Sequence, residues 1–318
     1  MPTAAATKTI PQTTQNIEAK PNAFRSDFNK KSFQFSHNLV GHRLFSLPRL
    51  AELAKTLLAD TTTRSVRWQA GGAPVDAGWA VPLNEKVESV NEAISNLAES
   101  GSWVLLYSVQ RDPEYRALLD QLMSEILSDT GCRREDVTWE DAYIFLASPN
   151  AVTPYHIDHE ATFLFQVHGN RTANIWDAND RSVLQEKEIE KYYAGDLNAA
   201  KYTVEKQAKA TVYALNQGTG VHHPSKAPHA FKNGDIYSIA LGIHFCVREC
   251  DQQAATYQMN YLLRRVGLKP TPPGKSAWRD KLKMSIIGMF ADKNPKTKHD
   301  MLRSGFKKLT IPLRAVMK

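Results

Sequence analysis

The chain has 318 residues, 42% hydrophobic and 23% charged, with Gly and Pro at 16 each. This composition supports a sizeable buried core and argues against a disordered chain, a collagen-like repeat or a coiled coil. Three cysteines, Cys132, Cys246 and Cys250, cannot frame a disulfide scaffold and read as small buried hydrophobes in a reducing, cytoplasmic setting. The net charge of +7 is unevenly spread: residues 264–318 hold 15 Lys or Arg against the three acids Asp280, Asp292 and Asp300, a balance of +12, which leaves −5 for residues 1–263. A mildly acidic body with a strongly basic tail points to an anionic partner for the tail.

Residues 1–22 are rich in Ala, Thr, Gln and Lys, lack aromatics and show no period, so a flexible arm is expected. Helical spacing follows. Leu50, Leu53, Leu57 and Leu58 share one stripe, Val87 to Leu97 gives a second segment, and Asp112-Pro113 opens a third with Leu118, Leu119, Leu122, Ile126 and Leu127 on its apolar side. From Ala142 the character changes to short runs rich in aromatic and branched residues: Tyr143–Ala147, Ala161–His168, Thr172–Trp176, Ala210–Leu215 and Ile236–Phe245. These predict strands of an antiparallel barrel or sandwich, interrupted by a helix near Gln185–Tyr193. Beyond Cys250 the period is helical again, with Ala254, Tyr257, Tyr261, Leu262 and Val266 on one face.

Seven of the ten histidines fall within the predicted β region, so its chemistry is sought there. His156-Ile157-Asp158 sets an imidazole and a carboxylate two residues apart, a spacing that turns both to one face of a strand. A third nitrogen ligand from a distant strand would complete two histidines and one carboxylate, which leaves three metal positions open and suits non-haem Fe(II).

The run from Thr153 through His156, Asp158 and Thr162 to Arg171 resembles the metal-binding stretch of the JmjC and cupin-like 2-oxoglutarate oxygenases. A second block, from Gly218 through His222-His223-Pro224 and Pro228-His229 to Asn233-Gly234, resembles the segment that carries that family's distal histidine. The resemblance covers about residues 140–250. It implies an α+β chain with a double-stranded β-helix (cupin, jelly-roll) core between N-terminal and C-terminal helices. Residues 23–263 would form the oxygenase domain, and 264–318 a basic helical segment.

The resemblance further implies His156, Asp158 and His229 as Fe(II) ligands, and Thr153, Thr162 and Arg171 as contacts to the co-substrate 2-oxoglutarate. Arg171 stands where the family usually has lysine. A strand argument also bears on it: Gly169-Asn170 as a two-residue hairpin turn would pair His168 with Arg171 and set Thr162 and Arg171 on one face. Arginine keeps the charge and grips a carboxylate with two parallel hydrogen bonds. Tyr143, on the strand entering the site, is a candidate donor to the same carboxylate, with core packing as its alternative role. An apolar wall is expected from Phe163, Phe165 and Trp176. His222 and His223 are weaker candidates for the third ligand, while His159, His168 and His244 read as hydrogen-bonded core or rim residues.

The implied reaction couples decarboxylation of 2-oxoglutarate to succinate with dioxygen-dependent hydroxylation of a C–H bond. The substrate is either a protein or amino-acid side chain or an anionic glycolipid such as a Kdo sugar. In the tail, Trp278, Leu282, Ile286, Met289 and Phe290 share a face flanked by Arg279, Lys281 and Lys283, and Met301, Leu302, Phe306 and Leu309 lie beside Arg303, Lys307 and Lys308. Such stretches lie on anionic membranes, or serve as docking or homodimer helices with a solvated basic side. The alternative function is a non-catalytic cupin-like sensor whose tail holds nucleic acid. The lack of a base-reading module weighs against nucleic acid.

Overall fold

The aromatic and branched runs form strands of two antiparallel sheets in a computed structural model that describes residues 15–18, 21–60, 65–79 and 87–316. The first part of the chain supplies β1 (Ile17–Glu18), α1 (Pro21–Asp27), β2 (Phe33–His37), α2 (Leu47–Ala59), β3 (Val66–Ala70), α3 (Val87–Ser95), β4 (Ser102–Leu106) and α4 (Pro113–Thr130). The middle supplies β5 (Val137–Ala147), β6 (Val152–His156), β7 (Ala161–His168), β8 (Asn170–Ile175), α5 (Glu186–Ala194), β9 (Thr211–Asn216), β10 (Thr219–His223), β11 (His229–Asn233) and β12 (Ser238–Val247). Three helices follow: α6 (Arg248–Arg265), α7 (Ala277–Phe290) and α8 (Lys298–Val316).

One sheet has the order β1-β2-β10-β7-β12-β5-β4-β3 and the other β6-β11-β8-β9. Two antiparallel sheets facing each other, with successive strands passing between them, are the double-stranded β-helix, and the flanking helices make the class α+β. The purely helical reading of the first part is incomplete, because β2, β3 and β4 widen the larger sheet on both sides. Ile17 and Glu18, expected in the flexible arm, pair with His37 and Ser36. Pro21 and Asn22, also placed in that arm, open α1, and residues 1–14, 19 and 20 lie outside the described residues.

Strands β7 and β12 are buried on both faces, which explains their nearly continuous apolar composition. Phe163, Phe165 and Val167 of β7, with Ile239, Leu241, Ile243 and Phe245 of β12, pack with Leu50, Leu53 and Leu57 of α2 and Leu119, Leu122 and Ile126 of α4. Each fully buried side chain of this size stabilises by about 1.5–3 kcal/mol, so this layer fixes which face of each strand meets the helices. The alternate residues Leu164 and Ala240 turn into the space between the sheets, where they meet Ala173, Ile175, Leu215 and Phe231. Helix α4 starts where Asp112-Pro113 predicts: the Asp112 carboxylate accepts the Glu114 N–H at 3.0 Å, and Gly131 ends the helix at φ +72°.

The hairpin expected at Gly169-Asn170 does not form. Strand β7 belongs to the larger sheet and β8 to the smaller one, so His168 pairs with Ile239, and Arg171 pairs with Leu215 and Asn233. Gly169, at φ +73°, is the corner between them; a Cβ there would lie 2.3 Å from the Tyr237 carbonyl oxygen. A left-handed glycine turns a chain across a sandwich as readily as it closes a hairpin, so the dipeptide alone does not distinguish the two.

The basic tail is docked. The Arg264 guanidinium grips the buried Glu190 carboxylate through two bonds of 2.7 and 2.8 Å, and Gln258 donates to the Leu302 carbonyl at 2.7 Å. The Lys283 ammonium is turned inward and donates to the Thr271 carbonyl at 2.8 Å.

Candidate metal centre

The last residue of β6, His156, stands directly opposite the first residue of β11, His229. Their rings lie 4.1 Å apart between centroids. The ladder is irregular here: two steps along β11, from His229 to Phe231, span three along β6, from His156 to Thr153. The extra residue in β6 is a bulge that contains Pro154, which has no N–H to give to a ladder. It also explains a puzzle of spacing. Residues three apart on a regular strand face opposite ways, yet Thr153 and His156 both line the same cavity, of about 310 Å³.

Asp158 is not on the strand, as its spacing predicts, but two residues past its end. Its carbonyl accepts the Lys226 N–H at 2.7 Å. Its Oδ2 lies 3.7 Å from His156 Nε2 and 3.6 Å from His229 Nε2. Nδ1 of His156 bonds the Pro154 carbonyl at 2.7 Å, and Nδ1 of His229 bonds the Ala227 carbonyl at 2.9 Å. With each Nδ1 donating its proton to a carbonyl, each Nε2 presents a lone pair to the same point. Burial pushes the His156 imidazole well below its ordinary value and raises the Asp158 carboxyl. His156 is therefore neutral, as a metal ligand must be. The indole of Trp79 stacks on the His156 ring at 4.0 Å and 6°. Ligand atoms of His156, Asp158 and His229 all lie within 4.8 Å of one another, a group able to hold a metal ion.

The other candidates separate clearly. His222 uses both nitrogens, on the Thr162 carbonyl at 2.9 Å and the Asn29 N–H at 3.0 Å, and packs among Phe28, Phe33 and Phe163. It is a core residue. His223 lines the cavity with its ring 4.1 Å from that of His229, and its Nδ1 has no partner. His159 bonds Tyr193 Oη and Asp251 Oδ1, each at 2.8 Å. Its neighbours Cys246 and Asp251 make a second group of donor atoms with it, but both ring nitrogens of His159 are already engaged. His168 stacks on Tyr237, and neither lines the cavity.

Of the expected co-substrate contacts, Thr153, Thr162 and Tyr143 line the cavity with the triad, and Arg171 does not. The Arg171 guanidinium lies 5.8 Å over the ring of Phe231, a lining residue, and donates to Ser238 Oγ. Its Nε has no partner, and no carboxylate pairs with it among the described residues. Burial alone pulls it down to about 9. The expected wall of Phe163, Phe165 and Trp176 is also displaced. The two phenylalanines face the N-terminal helices, and Trp176 packs edge-on to Tyr155. The apolar wall is instead Leu105, Tyr107, Phe145, Leu164 and Phe231. Strands buried on both faces show no alternation from which the inward set could be read.

Two charged lining residues, Lys298 and Glu160, escape the sequence reading, and His244, read as a hydrogen-bonded core or rim residue, lines the cavity with them. Lys298, the first residue of α8, pairs with Glu160 and stands 3.3 Å from Tyr143 Oη. Burial alone would raise the Glu160 carboxyl, but the Lys298 ammonium and the nearby His244 and His159 outweigh it and hold Glu160 at about 2. His244, whose Nδ1 bonds Thr162 Oγ1 at 3.0 Å, lies under the Tyr143 ring at 4.3 Å. Glu160 sits two residues beyond Asp158 and was locally findable; Lys298 lies 138 residues from its partner, and no local pattern links them. Arg303, also on α8, clasps the end of α5 by donating to the Ala194 carbonyl.

No family model matches the sequence, and no curated protein matches it. Solved structures share the fold. The chain is similar to ycfD of E. coli at 14% identity, with 96% of this chain and 69% of that chain covered and a TM-score of 0.50. A structure of YcfD, a ribosomal oxygenase from Escherichia coli, in complex with cobalt and 2-oxoglutarate aligns at 12% identity, with 95% and 68% covered and a TM-score of 0.49. Identity this low speaks to the fold: the chain has the jelly-roll architecture of ycfD.

Proposed function

We propose that the protein is an Fe(II)- and 2-oxoglutarate-dependent dioxygenase that hydroxylates a C–H bond. The observation that carries this reading is the convergence of two imidazoles, each fixed through Nδ1 by a backbone carbonyl, with one carboxylate at a largely apolar cavity. That donor set suits Fe(II), which accepts nitrogen and oxygen ligands and keeps positions open. Bound between His156, Asp158 and His229, iron would supply the dioxygen chemistry that couples formation of succinate to hydroxylation.

The chain's own residues do the rest. The Nδ1 bonds keep both imidazoles in the tautomer that ligates, and the Trp79 indole shields one face of His156. Leu105, Phe145, Leu164 and Phe231 exclude water from the wall. Arg171 is a buried cation without an anionic partner, a condition that favours a carboxylate. From behind the Phe231 ring, and outside the present lining, we assign it with the lining Thr153 and Tyr143 to the distal carboxylate of 2-oxoglutarate. Thr162 buttresses this wall through His244. The mouth carries the exposed Leu197 and His299 beside Arg303, which fits an acceptor that combines apolar and anionic groups better than a neutral one.

The test is an anaerobic titration with Fe(II) and 2-oxoglutarate, followed by admission of oxygen and mass spectrometry for succinate. One iron per chain and succinate formation are expected, with both lost in His229→Ala. A wild-type protein that binds neither iron nor 2-oxoglutarate would sink the reading.

A further inference from the structure

Helix α7 shows the reverse of an ordinary packed helix. Its buried side is narrow, held by Ile287 at 5% exposure and the aliphatic stem of Lys283 at 7%. Trp278, Leu282 and Met289 are 66, 55 and 73% exposed. At 3.6 residues per turn these three fall within about 60° of arc, centred opposite Ile287. Ile286, expected in this stripe, is half-buried at its side. Val266 and Leu268, between α6 and α7, are 69 and 55% exposed. Apolar side chains at this density on a water-facing surface mark an interaction site.

Its charges narrow the choice of partner. Arg279 and Lys281 flank the stripe on either side, and Lys269 and Lys275 precede the helix; all four are exposed. The one acid between Arg264 and Phe290 is Asp280. It is turned inward, accepting the Gly274 N–H at 2.8 Å and lying 3.8 Å from the Lys283 ammonium. A second copy of the chain meeting this face across a two-fold axis would oppose two basic surfaces. Nucleic acid would satisfy the charges but has no use for Leu282 and Met289. An anionic lipid surface satisfies both: aliphatic groups and an indole enter the interface while lysines meet headgroups. No helix among the described residues is long and apolar enough to cross a membrane.

We infer that α7 is a peripheral docking helix for an anionic lipid bilayer, with Trp278, Leu282 and Met289 entering the interface and Lys269, Lys275, Arg279 and Lys281 contacting headgroups. The inference is independent of the reaction proposed for the cavity. Arg279 gives one of its five N–H donors to Thr271 Oγ1 at 2.9 Å and stays exposed, whereas Lys283 is buried on the Thr271 carbonyl and Lys308 pairs with Asp292, so these two take no part.

The test uses the full chain and vesicles of phosphatidylcholine, with and without phosphatidylglycerol. Wild type should sediment with the anionic vesicles, ignore the neutral ones and dissociate as salt rises. Replacing Lys269, Lys275 and Lys281 with Gln should weaken binding by roughly a hundred-fold, on the order expected for three interfacial lysines. Trp278→Ser with Leu282→Ser and Met289→Ser should weaken it at least roughly ten-fold, with an unchanged circular dichroism spectrum because all three are exposed. Three results would overturn the inference: wild type that ignores anionic vesicles, a triple serine variant that binds them undiminished, or a wild-type dimer that this variant splits into monomers. The last would make a second copy the occupant.

Discussion

Two parts of the cavity wall are built in opposite ways. At the candidate metal site, His156 and His229 are neighbours in one ladder, and each ring is fixed by a carbonyl two residues before it in sequence. At the helical wall, Glu160 and Lys298 are joined by one ion pair between β7's approach and the first turn of α8. The first part depends on a sheet that the whole core supports, the second on how a C-terminal helix docks. The same cavity therefore has a wall with fixed chemistry and a wall whose chemistry is imported from a distant part of the chain.

The sharpest way to break this contrast is at the candidate metal site. His156→Ala, Asp158→Ala and His229→Ala should each lower Fe(II) affinity by at least about a hundred-fold, because three protein ligands are the minimum for such a site. His222→Ala should leave it intact. Equilibrium dialysis with metal analysis decides, and full occupancy in His229→Ala with loss in His223→Ala would transfer the third ligand to His223.

At the helical wall the loss should appear in stability and not in iron. Lys298→Ala leaves the buried Glu160 carboxylate alone, which should cost about 3 kcal/mol in urea unfolding. Glu160→Gln in the same chain should recover most of it. If Lys298→Ala is neutral, α8 does not depend on the pair.

Behind the lining ring of Phe231 stands Arg171. Arg171→Ala should weaken 2-oxoglutarate binding by about 2 kcal/mol, measured by calorimetry, with iron retained. An unchanged affinity, accompanied by a loss in Lys298→Ala, would move the anchor to the imported wall.

A last effect, small at any one pH step and spread over several, concerns the buried framework around the cavity. Burial holds His37 and His222 down at about 4 and about 3, from 6.5. Between those values the unfolded chain binds more protons than the folded one. Their contribution is therefore complete above pH 6.5 and is lost as pH falls toward 4 and 3, by up to about 1.4 kcal/mol per pH unit for each histidine. Chemical denaturation from pH 7 to 4 should show this decline, with a shallower slope in His222→Phe.

What sequence made legible follows the same division. The strand at Ala161–His168, the cap at Asp112-Pro113 and the trio His156, Asp158 and His229 rest on local periodicity or on short motifs, and such signals survive without knowledge of the fold. The direction of Phe163 and Phe165 was hidden because β7 is apolar on both faces. The Gly169 corner was hidden because a left-handed glycine serves a crossover and a hairpin equally. Strands β2, β3 and β4 are each five residues long, among helices, and gain their place only by pairing with distant partners. Lys298 could be found only by folding the chain.

The extra residue in β6 lets one short strand serve two clients. Deleting Tyr155 would leave Thr153 and His156 two apart opposite Phe231 and His229, a regular ladder in which they still share a side. What the deletion would remove is the ring that packs on Trp176 and Tyr202 behind the sheet. The bulge thus holds both Pro154, whose carbonyl fixes His156, and Tyr155 in a place where a regular strand has room for one residue. A one-residue deletion here is predicted to spare the strand's alternation and to be felt in the packing behind the cavity.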